Sequence, residues 1–487
     1  MSDILFTHSY FLHHDAKEFR AMMPYPPLAT LYAAAHIRRK GYTVALFDSM
    51  LAQNEFALEP LLRLHRPKVL VIYDDDFNYL SKMCLTRMRE AAHTMTKMAK
   101  RAGSIVVVHG SDATDHPAEY LYAGADAVIS GEGEQSLGEY LDKTFIGNED
   151  QSRIPGLTYL LDGNVVRTSP RLAAKSLDAL PHPARDLVDM EAYRTVWTRR
   201  HGYFSMNLVT TRGCPYHCNW CAKPVYGQSY GSRSPAAVAE ELREAVATYA
   251  PDHIWFCDDI FGLKPGWIQE FADEIERLNT IVPFKCQARA DLLVRGDTVA
   301  QLRRAGCVNV WVGAESGSQK ILDAMEKGTT VSQIHEASRL LKQSGIRVGF
   351  FLQFGYPGET GDDIDLTLRM LRDCMPDDIG ISISYPLPGT RFYENVQHDL
   401  GLKHNWTDSE DLALMFKGTF VPDYYRTLHK VTHKLLRTWQ GAAVLSQFAR
   451  NPRSLSTRGL RSLMAAGFHS LTLPPVMAKL RTLERAA

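Results

Sequence analysis

Residues 206–224, MNLVTTRGCPYHCNWCAKP, begin as a short apolar strand and break at Gly213 into a loop with three cysteines in eight positions. The spacing is C-x3-C-x2-C, carried by Cys214, Cys218 and Cys221. A thiol triplet placed directly after a strand points to metal chemistry rather than packing. Its surroundings agree, because the loop also carries Arg212, His217 and Lys223. Two metal readings follow from the residues alone. A zinc site would recruit a fourth ligand, either His217 or one of Cys257 and Cys286, which also lie at strand signals. A cubane four-iron, four-sulfur cluster would be held at three irons and left open at the fourth, unlike electron-transfer clusters closed by four cysteines.

Outward from this loop the pattern is regular. Between residues 201 and 395 the strand signals MNLVTT, HIWFCD, FKCQAR, VNVWVG, RVGFFLQF and IGISISY alternate with helical stretches such as SPAAVAEELREAVATYA. Six such units predict an open sheet or a partial (β/α)6 TIM-type barrel, and its working surface is the carboxyl end of the strands, where the cysteine loop sits. Residues 1–145 carry five more strand signals, DILFTH, TVALFD, KVLVIYDD, SIVVVHG and AVISGE, again with helices between them. They predict an N-terminal doubly wound five-stranded parallel sheet. Its ligand-side ends hold His8-Ser9-Tyr10, Asp74-Asp75-Asp76, Gly110-Ser111-Asp112 and Gly131-Glu132-Gly133-Glu134. Residues 146–200 read as a hairpin turning at Asp162-Gly163 and a proline-bearing linker. Residues 396–487 form a mainly helical C-terminal region, so the fold class is α/β with a helical end.

Composition limits the setting. The 487 residues are 45% hydrophobic and 23% charged, with zero formal net charge, which suits large buried cores and argues against nucleic acid as a partner. The start MSDILFTHSY has no export signal, and no run of about 18 apolar residues marks a membrane span. Eight cysteines in such a chain are expected to stay reduced in a cytoplasmic setting. The neutral total hides one asymmetry: from residue 430 on there are ten Lys or Arg and a single acid, Glu484. Such a stretch reads as a solvated helical cap on the barrel, or as a segment making peripheral contact with the inner membrane surface.

The triplet, with Trp220 just before its last cysteine, resembles the fingerprint of the radical S-adenosylmethionine superfamily. The resemblance implies that Cys214, Cys218 and Cys221 hold a 4Fe-4S cluster whose open iron takes the amino and carboxylate groups of S-adenosylmethionine, with Trp220 near the adenine. VWVGAESGS places Glu315 where relatives direct a carboxylate toward the ribose, and QARADLL offers Arg289 for the methionine carboxylate. The alternative for Arg289 is a structural ion pair with Asp291 or Asp258. FGYPGET and YPLPGTRFYE resemble the turns after the fifth and sixth strands, with Gly355 free to let backbone approach a ligand.

The front region resembles the cobalamin-binding domain of one class in that superfamily. YPPLATLYAAAHIRRKGYTVALFD (25–48) and AGADAVISGEGEQSL (123–137) carry the likeness. It implies cobalamin near Gly110, Ser111, Asp112 and Thr114 and near Gly131, Glu132 and Gly133. The chain departs from the class pattern at Ala29 and in reading His109-Gly110-Ser111-Asp112-Ala113-Thr114 after the fourth strand. It also lacks the Asp-x-His-x-x-Gly motif that supplies an axial histidine elsewhere. What the resemblance implies is a radical enzyme that cleaves S-adenosylmethionine to a 5′-deoxyadenosyl radical and methylates an unactivated carbon. Its partners would be a small-molecule substrate (a lipid, polyprenoid or tetrapyrrole) and an electron donor such as flavodoxin or ferredoxin. Ring closure or rearrangement of the magnesium-porphyrin cyclase type is the alternative reaction. A non-catalytic iron–sulfur or corrinoid sensor is the alternative of another class. Methylthio transfer fits less well, since the front region has only Cys84 and cannot hold a second three-cysteine cluster.

Overall fold

The computed structural model describes residues 2–83, 85–147, 150–174, 176–223, 225–451 and 456–485; Cys84 lies outside them. Two parallel sheets organise the chain. The first contains β1 (Ile4–Thr7), β2 (Val44–Phe47), β3 (Val69–Tyr73), β4 (Ile105–His109), β5 (Ala127–Ile129), β6 (Leu157–Leu161) and β7 (Asn164–Arg167), in the order β2-β1-β3-β4-β5-β6-β7. Its parallel part is the doubly wound five-stranded sheet, with strand order reversing between β1 and β3. These strands are β-branched and apolar because helices cover both faces; β3 is buried at every position.

The expected hairpin is β6–β7, and it does more than connect: β6 pairs antiparallel with β5 and extends the sheet to seven strands. The reason lies in its composition: Leu157, Thr158 and Tyr159 are buried and would otherwise face water. Asp162 and Gly163 both take positive φ (51° and 80°), the backbone that a two-residue hairpin turn requires.

The second sheet contains β8 (Ser205–Leu208), β11 (His253–Phe256), β12 (Phe284–Ala288), β13 (Cys307–Glu315), β14 (Arg347–Phe354) and β15 (Asp378–Ile383). It runs β15-β14-β13-β12-β11-β8, parallel throughout, with no closing pair between its first and last strands. Amphipathic helices pack outside it. Two of them, Val331–Gln343 and Gly361–Cys374, are opened by capping boxes at Thr330/Gln333 and Thr360/Asp363. A short antiparallel pair, β9 (Thr211–Arg212) and β10 (Gly231–Ser232), brackets the cysteine loop.

The C-terminal region ends in an antiparallel pair of long helices, Pro422–Arg450 and Thr457–Arg485. The first buries Tyr424, Tyr425, Leu428, Val431 and Leu436 against the barrel, and its buried residues end at Gly441. A Cβ at Gly441 would stand 2.1 Å from that of Ala466, so glycine sets the close approach of the two helices. No helix among the described residues is long and apolar enough to cross a membrane.

One interaction fixes the two sheets together at the site. Arg212, at the end of β9, donates to Glu132 (2.7 Å) and to both oxygens of Glu134 (2.5 and 3.2 Å), in the turn after β5. All three side chains are buried or nearly so. Burial alone would raise the Glu134 carboxyl; the guanidinium more than offsets this and holds it below the usual range. Arg212→Ala leaves two carboxylates without a cation and is expected to cost about 3–5 kcal/mol, read as a lower urea midpoint; adding Glu132→Gln and Glu134→Gln restores part of the loss. Because the Glu134 pKa is depressed on folding, its contribution is present above the ordinary glutamate pKa and is lost as pH falls through the depressed value.

Candidate functional site

The cysteine loop is built by its neighbours. Asp258, just past β11, takes the backbone N–H groups of Thr210 (2.7 Å) and Thr211 (2.6 Å) and the Thr211 hydroxyl (2.8 Å) on one oxygen. Gly213 then turns at φ 75°, and a Cβ there would come within 2.2 Å of the Ser229 carbonyl. Only glycine fits. Lys223 folds back across the loop to the carbonyls of Cys214 (2.9 Å) and Tyr216. Cys214 is buried against Ile260 and Leu292, while Cys218 and Cys221 are half-buried. Burial pushes the Cys221 thiol up to about 12 and raises Cys214 as well.

Asn219, between Cys218 and Trp220, clasps the loop to the barrel. Its side chain donates to the Ala324 carbonyl (2.8 Å) and accepts from the Tyr356 hydroxyl (2.9 Å). Its backbone pairs with Met325 and Phe392. Sequence reading passed over this residue, whose only signal was its place inside the triplet.

Around the loop stand the other expected residues. Glu315 ends β13 at φ 59°, beside a register irregularity in the pairing of β13 with β14. A non-glycine residue held in this region is strained, and such strain collects at functional sites. Lys327 donates to Glu315 at 2.7 Å in a buried ion pair. Burial would lower the Lys327 ammonium, but Glu315 and then Cys218 raise it above its usual value. The Lys327 carbonyl in turn accepts from Arg289 at 2.7 Å. Lys327 was also missed; a basic residue twelve positions beyond Glu315 gives no local signal.

Arg289 makes the ion pair weighed for it, with Asp291 (2.8 Å), and its Nη1 stands 3.8 Å from the Cys218 sulfur. Its guanidinium lies 3.7 Å from the ring centre of Tyr216. Asp258 is occupied elsewhere, as described. Trp220 is half-buried, and its Nε1 has no partner. The Gly355 N–H donates to Glu359 at 2.7 Å; burial pushes that carboxyl up to about 8.

Of the alternative fourth ligands, His217 is exposed, Cys257 donates to the Leu208 carbonyl, and Cys286 is buried beside Cys307. Among the described residues no three His, Cys, Asp or Glu side chains are placed to hold a single metal ion.

In the first sheet, Gly110 (φ 151°) follows β4, and a Cβ there would press on Asp74 at 2.9 Å. Asp112 faces inward, paired with Arg89 (2.6 Å) and accepting from Tyr120 (2.6 Å), while Thr114 bonds the Gly110 carbonyl. Gly133 packs on Tyr73 and His109 so closely that a Cβ would meet the Tyr73 hydroxyl at 2.7 Å. Gly131 (φ 76°) is more open, with the Val225 carbonyl 3.8 Å from such a Cβ. Asp76 pairs with His109 at 2.9 Å and leaves its other oxygen, though buried, without a partner. Asp76, Lys82 and Ser111 from this side line one cavity together with Gly213, Lys223 and Tyr226 from the cysteine loop. Both carboxyl edges therefore open on the same space.

A family model describing the radical SAM superfamily matches residues 208–371. An uncharacterised methyltransferase of Pyrococcus horikoshii is 28% identical over 423 residues, covering 82% of this chain and 88% of the relative. The anaerobic magnesium-protoporphyrin IX monomethyl ester cyclase of Rubrivivax gelatinosus is 24% identical, over 76% of this chain and 66% of its own length. Among solved structures, the cobalamin-dependent S-adenosylmethionine radical enzyme OxsB superposes with a TM-score of 0.70 at 18% identity, covering 96% of this chain and 70% of that one.

Asn219→Ala removes the loop's clasp and leaves the Ala324 carbonyl with the Tyr356 hydroxyl alone as its side-chain donor. The expected outcome is faster hydrogen exchange across 213–223 and a stability loss of about 1–2 kcal/mol, with exchange in β3 and β4 unchanged.

Proposed function

Because the chain belongs to the radical S-adenosylmethionine superfamily, we propose that Cys214, Cys218 and Cys221 hold a 4Fe-4S cluster by three irons and that the protein is a cobalamin-dependent methyltransferase. When bound, the cluster and S-adenosylmethionine supply a 5′-deoxyadenosyl radical, and cobalamin supplies the methyl group. The observation that supports this reading is that the two carboxyl edges meet: Asp76, Lys82 and Ser111 of the first sheet line one small cavity of about 20 Å³ with Gly213, Lys223 and Tyr226 beside the cysteines.

The chain's own residues divide the remaining work. Glu315, held by Lys327, would receive the ribose hydroxyls. Arg289, which stacks on Tyr216 with its Nη1 near Cys218, would take the methionine carboxylate. Trp220, whose Nε1 has no partner, would flank the adenine. Gly355, pinned by Glu359, lets the backbone pass close to the cofactor. Ser111, with Gly110 and Thr114 behind it, and the Gly131–Gly133 turn border the corrinoid, while Asp112 and Glu132 hold that border in place through Arg89 and Arg212. Tyr226, which lines the cavity, stacks on Phe77 at 5.8 Å between ring centres. The cyclase relative keeps ring closure as the second reading.

The electron donor is a small redox protein such as flavodoxin or ferredoxin, and the substrate a small molecule of apolar character. A surface feature supports delivery from a membrane. On the last helix Leu460, Met464, Phe468 and Leu471 are 51–83% exposed and recur every three or four residues, so they share one face. No acid lies between residue 430 and Glu484, and the Lys434 ammonium stands 5.4 Å from the Phe468 ring. An apolar face on a basic segment suits an anionic bilayer.

Two outcomes follow. Reconstituted protein with a reductant is expected to form 5′-deoxyadenosine from S-adenosylmethionine. Cys214→Ala, Cys218→Ala and Cys221→Ala each abolish this, and wild-type rates in those variants would rule the assignment out. Separately, the chain is expected to float with phosphatidylglycerol-containing vesicles and not with purely zwitterionic ones, and Met464→Glu/Phe468→Glu to stay at the bottom of the gradient.

A further inference from the structure

The inner face of the second sheet carries a pattern that the cofactors do not use. Along β12, β13 and β15 every second residue is buried against the outer helices, as with Cys286, Val310, Val312 and Ile381. The residues between them are half-exposed and form a concave, accessible lining. Reading this lining in register gives layers.

The lowest layer is cationic. Lys285 on β12 pairs in register with Asn309 on β13, which pairs with Arg347 on β14. Two cations thus flank one amide across three strands. The Lys285 ammonium stands 5.0 Å from the Trp255 ring centre and 5.3 Å from that of Tyr25, which the front region inserts here. Burial pushes it down to about 8, Arg347 adds to that, and among the described residues no carboxylate offsets it. Most buried lysines have such a partner; Lys82 and Lys327 in this chain do.

The middle layer is flat and apolar. Trp311 and Phe351 stack at 4.8 Å and 27°. Glycines make the room: a Cβ at Gly349 would strike Trp311 at 2.5 Å, and one at Gly380 would press on Phe351 at 3.1 Å. The top layer is Arg289, Glu315 and the cysteine loop. Arg289, just past β12, stands four residue steps from Lys285, about 13 Å at the rise of a parallel strand.

We propose that this face binds a substrate with a planar apolar body and a terminal anionic group, the anion held between Lys285 and Arg347 and the body laid on Trp311 and Phe351. The inference rests on reading this sheet as the radical enzyme's barrel, and it adds the substrate's class. It also sets a scale: the cationic row lies about 13 Å below the Arg289 layer. Asn309 donates to the same anion, and Gln287 and Ser382 offer neutral hydrogen bonds along the way.

The test uses dye binding, which needs neither cluster nor cleavage, in full-length Met464→Glu/Phe468→Glu protein so that the surface stripe does not contribute. Anilinonaphthalene sulfonate is the anionic planar probe and N-phenylnaphthylamine its neutral counterpart. Lys285→Met is expected to weaken the anionic probe by about tenfold or more and the neutral probe by less than about twofold, while Lys285→Arg keeps both. Trp311→Ala weakens both together. Should Lys285→Met fold poorly, Asn309→Asp places a carboxylate in the same row and is expected to repel only the anionic probe. An anionic affinity untouched by Lys285→Met and Asn309→Asp, or equal losses for the two probes, overturns the proposal. Loss of 5′-deoxyadenosine formation would instead strike the reading it rests on, and the two failures are separable.

Discussion

The site depends on a buried guanidinium. Arg212 lies two residues before Cys214, and its partners Glu132 and Glu134 lie in the turn that closes the first sheet. A buried ion pair of this kind is a poor source of stability, because desolvation takes back most of what the attraction gives. Its value is in registry. Only one placement of the two sheets satisfies both carboxylates, and Tyr32, Phe77 and Tyr226 surround the guanidinium with rings at 5.4–6.0 Å that would not accept it bare. The cysteine loop therefore cannot shift relative to the front sheet without leaving charge unpaired. A second buried set, Arg185 and Arg233 about Glu241 with the Tyr32 hydroxyl, repeats the device one layer deeper.

Charge on the barrel's inner side is arranged by height. At the top, Arg289 and Lys327 meet Asp291 and Glu315, so cations and carboxylates balance where the cofactor's zwitterionic end would lie. At the base, Lys285 and Arg347 face no such balance. His253 feels this directly: burial, then these two cations, push it down to about 3, which leaves it neutral and bonded to Ser205. A neutral histidine there avoids adding a third positive charge. The same inner wall carries uncompensated positive charge at its lower end and the apolar Trp311–Phe351 stack in its middle.

Much of this was legible in the sequence, for physical reasons that differ by element. Strands such as KVLVIYDD and RVGFFLQF are buried on one or both sides, so their apolar runs announced them. Asp162-Gly163 fixed its hairpin because two successive positive φ values admit few residue pairs. That the hairpin joins the first sheet was not legible, since strand pairing is a long-range choice made by the buried face of Leu157 and Tyr159. The cysteine spacing was readable because the loop is local. Asn219 and Lys327 were not, because their roles consist of contacts with Ala324, Tyr356 and Glu315, which are remote in the chain or give no local sign. In the last helix, Pro474 and Pro475 would by local rule end it. Packing of Leu473, Val476, Met477 and Leu480 on the core carries it through to Arg485.

Glu315 draws these threads to one point. Its left-handed backbone has a cost, of order 1–3 kcal/mol for a residue with a Cβ, and a glycine there would have removed it. The chain keeps a carboxylate instead and holds it with Lys327, whose carbonyl fixes Arg289, whose guanidinium approaches Cys218. Each group in this series is oriented by the one before it, from a strained strand end to a cysteine sulfur. The series thus ties a strained strand end to the cysteine loop, in which Cys214 is buried and Cys218 and Cys221 are half-buried.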